Sequence, residues 1–212
     1  MSKELCGYFA IGLTFVAFIP YIRSVLSGQT KPHVFSWLIW GVATFVVFLA
    51  QLADGAGFGA WSIGLSGFLT CYIAFLAYRR RSDHSVTKLD WVFFILAMIS
   101  LPLWFLTKDP FWAVLILTTV DTLGFGPTFR KAYHKPYEEQ LFLYIVMTVR
   151  NLVSIPALEN YSWTTILFPA TLSVTCGIFI IFVMIRRASS AKRLARLGGT
   201  EKHLRPIPRR RR

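Results

Sequence analysis

The stretch from Val34 to Ala53 reads VFSWLIWGVATFVVFLAQLA, twenty residues without a single charge. At about 1.5 Å per residue, a helix of that length matches the roughly 30 Å hydrocarbon thickness of a bilayer. Lipid offers the backbone no hydrogen-bond partners, so a run this long and continuous has to be a helix. Six similar runs flank it. With Val34–Ala53 they predict seven membrane helices at Leu5–Leu26, Val34–Ala53, Phe58–Tyr78, Leu89–Leu106, Phe111–Tyr133, Gln140–Leu158 and Trp163–Ile185.

Composition agrees. Of 212 residues, 55% are hydrophobic and 16% charged, against about a quarter charged in soluble domains. Mean hydropathy is +0.53. The expected fold class is therefore an all-α membrane protein, with a seven-helix domain at residues 1–187 and a basic, disordered tail at 188–212.

The net charge of +13 could signal nucleic-acid binding, but its distribution argues for membrane topology, and no nucleic-acid partner is expected. Of the 23 Lys and Arg residues, 20 fall in the first, third and fifth connections and the tail. Lys3 and Lys108 lie on the opposite side, and Arg150 lies inside the sixth run. Cationic loops stay in the cytoplasm, so the N-terminus is expected outside and the C-terminus inside. The tail, with AKRLARL at Ala191–Leu197 and four terminal arginines, is expected to contact anionic lipid. The tryptophans near run ends suit an interfacial belt.

Few residues suggest chemistry. Cys6, Cys71 and Cys176 show no metal or redox spacing, and His33, His84, His134 and His203 have no ligand spacing to one another. No hydrolase, zinc-protease, P-loop or kinase motif is present, so neither an enzyme nor a cofactor is expected. No small-residue cleavage site follows the first run, which reads as a retained helix. Gly64, Ser66 and Gly67 predict close helix packing. Gln51 and Asp54 are expected to be solvated at the outer end of the second helix.

Two groups stand out because charge inside a bilayer is costly. Asp121 lies about 13 Å from the helix end near Arg130, and Arg150 about 18 Å beyond Glu138. These similar depths on adjacent antiparallel helices predict that they face each other or one water-filled cavity, with Asn151 alongside. Asp121 can carry a proton or cation, and Arg150 can anchor an anionic or polar group. Equally, the two can form a buried ion pair that only fixes packing.

A repeat is also legible. Phe18-Ile19-Pro20-Tyr21-Ile22-Arg23 matches Phe125-Gly126-Pro127-Thr128-Phe129-Arg130 at an offset of 107. Pro32 and Pro136 follow, then the aromatic positions Trp40 and Tyr144, then helix starts at Trp61-Ser62 and Trp163-Thr164. Three helices (about 5–78), one linker (about 89–106) and three more (about 111–185) form a parallel repeat. In transporters, such a layout places the site between the halves.

With Pro20 and Pro127 near the ends of the first and fifth helices, this plan resembles the PQ-loop/SWEET sugar-transporter group, and more loosely the nicotinamide riboside transporters. The resemblance implies that the prolines act as hinges while the halves rock. The glutamine of the PQ pair is replaced by Tyr21 and Thr128, and the third and seventh helices lack the asparagines that bind sugar, so sugar specificity is not implied. The expected function is small-solute transport or facilitation, with Asp121, Arg150, Asn151, Trp40 and Tyr144 lining a cavity for a small-molecule substrate. The alternative is a non-transporting sensor, assembly factor or scaffold with a recruiting tail. The sequence allows a homo-oligomer.

Overall fold

A computed structural model describes residues 2–30, 32, 34–80, 88–134, 136–139 and 141–203. Among them, every regular element is helical. The helices are α1 (Lys3–Leu26), α2 (Val34–Ala53), α3 (Trp61–Arg79), α4 (Lys88–Thr107), α5 (Pro110–His134), α6 (Leu141–Ser154) and α7 (Trp163–His203). A single 3-10 turn, Gly57–Ala60, leads into α3, and another, Pro136–Glu138, lies between α5 and α6.

Among the described residues, four stretches are long and apolar enough to cross a bilayer: Lys3–Leu26, Val34–Ala53, Gly57–Arg79 and Trp163–Ala191. Shorter apolar segments occupy Trp91–Thr107, Pro110–Gly126 and Leu141–Ser154. The outside of the bundle is greasy. Phe15, Phe75, Phe105, Ile145 and Ile181 are all exposed, Phe105 by 84%. An exposed apolar surface of this extent has lipid as its natural solvent. The chain is an all-helical membrane protein.

Two expected boundaries need correction. The sixth helix stops at Ser154 and not at Leu158, because Pro156 disfavours helical geometry at Ile155. The segment from residue 188 was expected to be disordered, yet α7 continues through it to His203. Ala, Lys, Arg and Leu are strong helix formers and extend a helix already nucleated in the membrane. The four terminal arginines lie outside the described residues.

The packing has a definite plan. α3 packs on both α1 and α2, and α7 on both α5 and α6. α1 meets α6 and α2 meets α5, while α4 rests on α5 and α2. Ala43, Val47, Ile63, Leu117 and Phe168 join α2, α3, α5 and α7 in one core, and Ala17, Phe18, Ile73 and Val146 join α1, α3 and α6 in another.

Glycines set the closest contact. A Cβ on Gly67 would lie 2.8 Å from the Phe45 backbone nitrogen, and one on Gly41 would lie 2.8 Å from that of Cys71. Backbones this close gain dispersion energy that larger residues would forbid. Gly67→Val is expected to lower the melting temperature in detergent, by a destabilisation of about 1–3 kcal/mol typical of overpacking. An unchanged melting temperature would mean that α2 and α3 are not in backbone contact.

Candidate functional site

A cavity of about 400 Å³ runs from Thr30 and Pro32 on the α1–α2 connection, and Glu139 on the α5–α6 connection, into the interior. Its walls come from both sets of helices. Phe18, Tyr21, Trp37, Trp40, Thr44, Ser66 and Thr70 belong to α1–α3, and Asp121, Phe125, Thr128, Leu143, Tyr144, Met147, Arg150, Phe168, Leu172 and Cys176 to α5–α7. Aromatic rings line much of it. Tyr21 stacks on Trp37 at 4.8 Å between centroids, and Trp37 meets Trp40 edge-on at 6.0 Å. Tyr144 packs on Phe125 and Phe179.

Of the five residues expected to line a cavity, four do so: Trp40, Asp121, Tyr144 and Arg150. Asn151 does not. It is fully buried outside the lining, and neither amide atom has a hydrogen-bond partner in the structure. Its neighbour Arg150 points elsewhere because adjacent helical residues do not share a face. Pro20 is inside α1 and exposed, and Pro127 is within α5.

Asp121 and Arg150 form no direct ion pair among the described residues. Asp121 and Arg150 are within electrostatic reach of each other. Yet among the described residues Asp121 makes no ion pair within 4.0 Å. Arg150 is fully buried. Its Nη2 donates weakly to Ser66 Oγ at 3.5 Å and to Met147 Sδ at 3.8 Å, and its Nε and Nη1 have no acceptor. Buried charges are normally paired or fully hydrogen-bonded. Here two opposite charges face one cavity and neither is satisfied.

Sequence reasoning missed Ser66, Tyr21, Trp37 and Cys176 as lining residues. The sequence held a signal for the first three: Ser66 in a stripe of small residues, and aromatics near Pro20 and Trp40. For Cys176 it held none.

The far end of the bundle is sealed. Glu159 N–H donates to Ala56 O at 3.1 Å, and Asn160 Nδ2 to Asp54 O at 2.7 Å. Ser162 Oγ donates to the Asp54 carboxylate. Lys3 Nζ donates to Glu159 O at 3.3 Å and lies over the Tyr161 ring. Gln51, expected in solvent, is fully buried and donates to Thr165 O at 2.7 Å. These bonds tie the α2–α3 turn to the α6–α7 turn. At the other end, Arg186 donates to Tyr133 O, and Arg187 to Pro136 O and Glu139 O, so α7 clasps the α5–α6 connection.

Fold and site together define an all-helical membrane protein with a polar-centred cavity lined by both sets of helices. No protein-family model, curated protein or solved structure matches the chain.

Proposed function

We propose that the chain is a small-solute transporter or facilitator. It crosses the bilayer seven times, with its N-terminus outside and its basic C-terminus in the cytoplasm, and works by rocking two three-helix halves about a linker helix. One observation carries this reading: the cavity lies between the two sets of helices, holds the unsatisfied charges Asp121 and Arg150, and is tied shut at one end. A sealed bundle suits a scaffold, whereas a half-open cavity with unpaired charge suits a solute path.

The packing supports the repeat. Exchanging α1, α2 and α3 for α5, α6 and α7 turns the main contacts into one another, α1–α3 into α5–α7, α2–α3 into α6–α7, and α1–α6 into α2–α5, while α2–α7 lacks a comparable α3–α6 counterpart. That reciprocity is what two equivalent halves produce. With the charge-based orientation, the tied end faces outward and the cavity opens to the cytoplasm. The plan fits the resemblance to the PQ-loop/SWEET group, with Pro20 and Pro127 as hinges.

The test is thermal stability of purified protein against sugars, vitamins, amino acids and organic acids, followed by counterflow in proteoliposomes. A ligand at 100 times its Kd stabilises the folded state by about 2.7 kcal/mol. One class is expected to raise the melting temperature of wild type, exchange across the membrane, and do neither with Asp121→Asn. Truncation after Arg187 is expected to leave exchange unchanged. No ligand and no exchange would favour a scaffold with a recruiting tail. Pro20→Ala is expected to slow exchange severalfold while leaving ligand affinity intact, and an unchanged rate would remove Pro20 as a hinge.

A further inference from the structure

The two unsatisfied charges also indicate what the cavity holds. We propose that its ligand is a small zwitterion with a planar apolar body, its carboxylate held by Arg150 and its cationic centre by Asp121. This rests on the transporter reading for the ligand's passage, but not for its binding.

Arg150 is fully buried, and two of its three guanidinium nitrogens have no acceptor; the third has only a hydroxyl and a thioether at long range. A guanidinium in that state calls for an anionic oxygen ligand, the partner its geometry matches best. Asp121 is more than nine-tenths buried, lines the same cavity, and makes no ion pair among the described residues. A carboxylate in that state calls for a cation or a strong donor.

The two do not satisfy each other, so the space they face needs the inverse pair of charges. An anion alone would leave Asp121 uncompensated and be repelled by it. A cation alone would leave Arg150 in the same state. A neutral polyol would compensate neither. The rest of the cavity is rich in aromatic rings, with Trp37, Trp40, Phe125 and Tyr144 in its lining. Such walls favour a flat apolar body, which stacks on rings at little entropic cost.

The experiment separates the two charges on constant bodies. Full-length protein in detergent is titrated calorimetrically with tryptophan, tryptamine and indole-3-propionate, and with phenylalanine, phenethylamine and 3-phenylpropionate. In at least one series the zwitterion is expected to bind at least tenfold tighter than either singly charged analogue. Asp121→Asn is expected to erase the advantage over the anion and keep the advantage over the cation. Arg150→Met is expected to do the reverse, and Arg150→Lys to restore part of the loss, which a merely structural role would not produce.

A cation or anion that binds as tightly as its zwitterion overturns the proposal, as does failure of both series to bind. Counterflow keeps the two readings apart. Exchange of a sugar or a simple cation would sink the zwitterion while leaving transport standing. A zwitterion that binds with the expected pattern but does not exchange would sustain the site and sink transport.

Discussion

Arg150→Met protein is expected to melt above wild type and to exchange no solute. The sign of the stability change follows from the environment. In a functioning buried ion pair, removing one partner strands the other and costs about 3–5 kcal/mol. Arg150 is not in such a pair: its side chain is fully buried, and Nε and Nη1 lack acceptors. Methionine has similar length, no charge and a flexible stem that fills irregular space. Replacing Arg150 with apolar volume of similar shape removes a desolvation cost that no acceptor offsets. Asp121 lines the cavity and makes no ion pair with Arg150, so removing Arg150 strands no salt-bridge partner. A differential scanning measurement in detergent checks the first half and counterflow the second. A variant that melts well below wild type would make Arg150 a structural residue after all.

The second large effect is expected at the sealed end. Gly59 belongs to the turn before α3, and a Cβ there would lie 2.7 Å from the backbone carbon and oxygen of Ala157. The two turns thus touch main chain to main chain, and Gly59→Val forces them apart. Separation breaks the Glu159-to-Ala56 bond and strains the Asn160-to-Asp54 bond. Each 1.4 kcal/mol lost from the closed state shifts the closed-to-open ratio about tenfold. In a cysteine-free background, Thr44→Cys reports on the cavity wall. It is expected to react with an impermeant maleimide only from the face bearing the α1–α2 connection. Adding Gly59→Val is expected to raise labelling from the opposite face at least tenfold. Unchanged labelling from that face would mean that the turns do not gate the cavity.

Much of this was legible in the sequence, and the reasons are specific. Membrane helices announce themselves because lipid demands uncharged runs, so α2 has the bounds Val34–Ala53 in both readings. Asp121 and Arg150 stood out for the same reason: any charge is conspicuous there, and counting 1.5 Å steps from the helix ends gave their common depth. Their failure to touch was not legible, since it depends on how α5 and α6 are rotated and spaced about α7. Asn151 was misread because nearness in sequence to Arg150 was taken for nearness in space. Gln51 was misread because a polar residue near a helix end has two fates, solvent or a carbonyl on a neighbouring helix, and the distant Thr165 decided between them. The extension of α7 to His203 was missed because charge suggested solvent, whereas helix propensity is indifferent to it.

The bonds that seal the far end are chiefly bonds to carbonyls, and every residue has a carbonyl. Ala56, Asp54 and Glu159 accept through main-chain oxygens, and Glu159 also donates through its main-chain nitrogen. The acceptor side of this fastening is nearly blind to side-chain identity, whereas its donors Lys3, Gln51, Asn160 and Ser162 are side chains. Residues that lend only a carbonyl can be exchanged without opening this end, provided the side-chain donors are kept and residues at Gly57 and Gly59 stay small enough for the turns to meet. Sequence comparison would therefore register the donors and the two glycines of the gate but pass over the carbonyls to which they fasten.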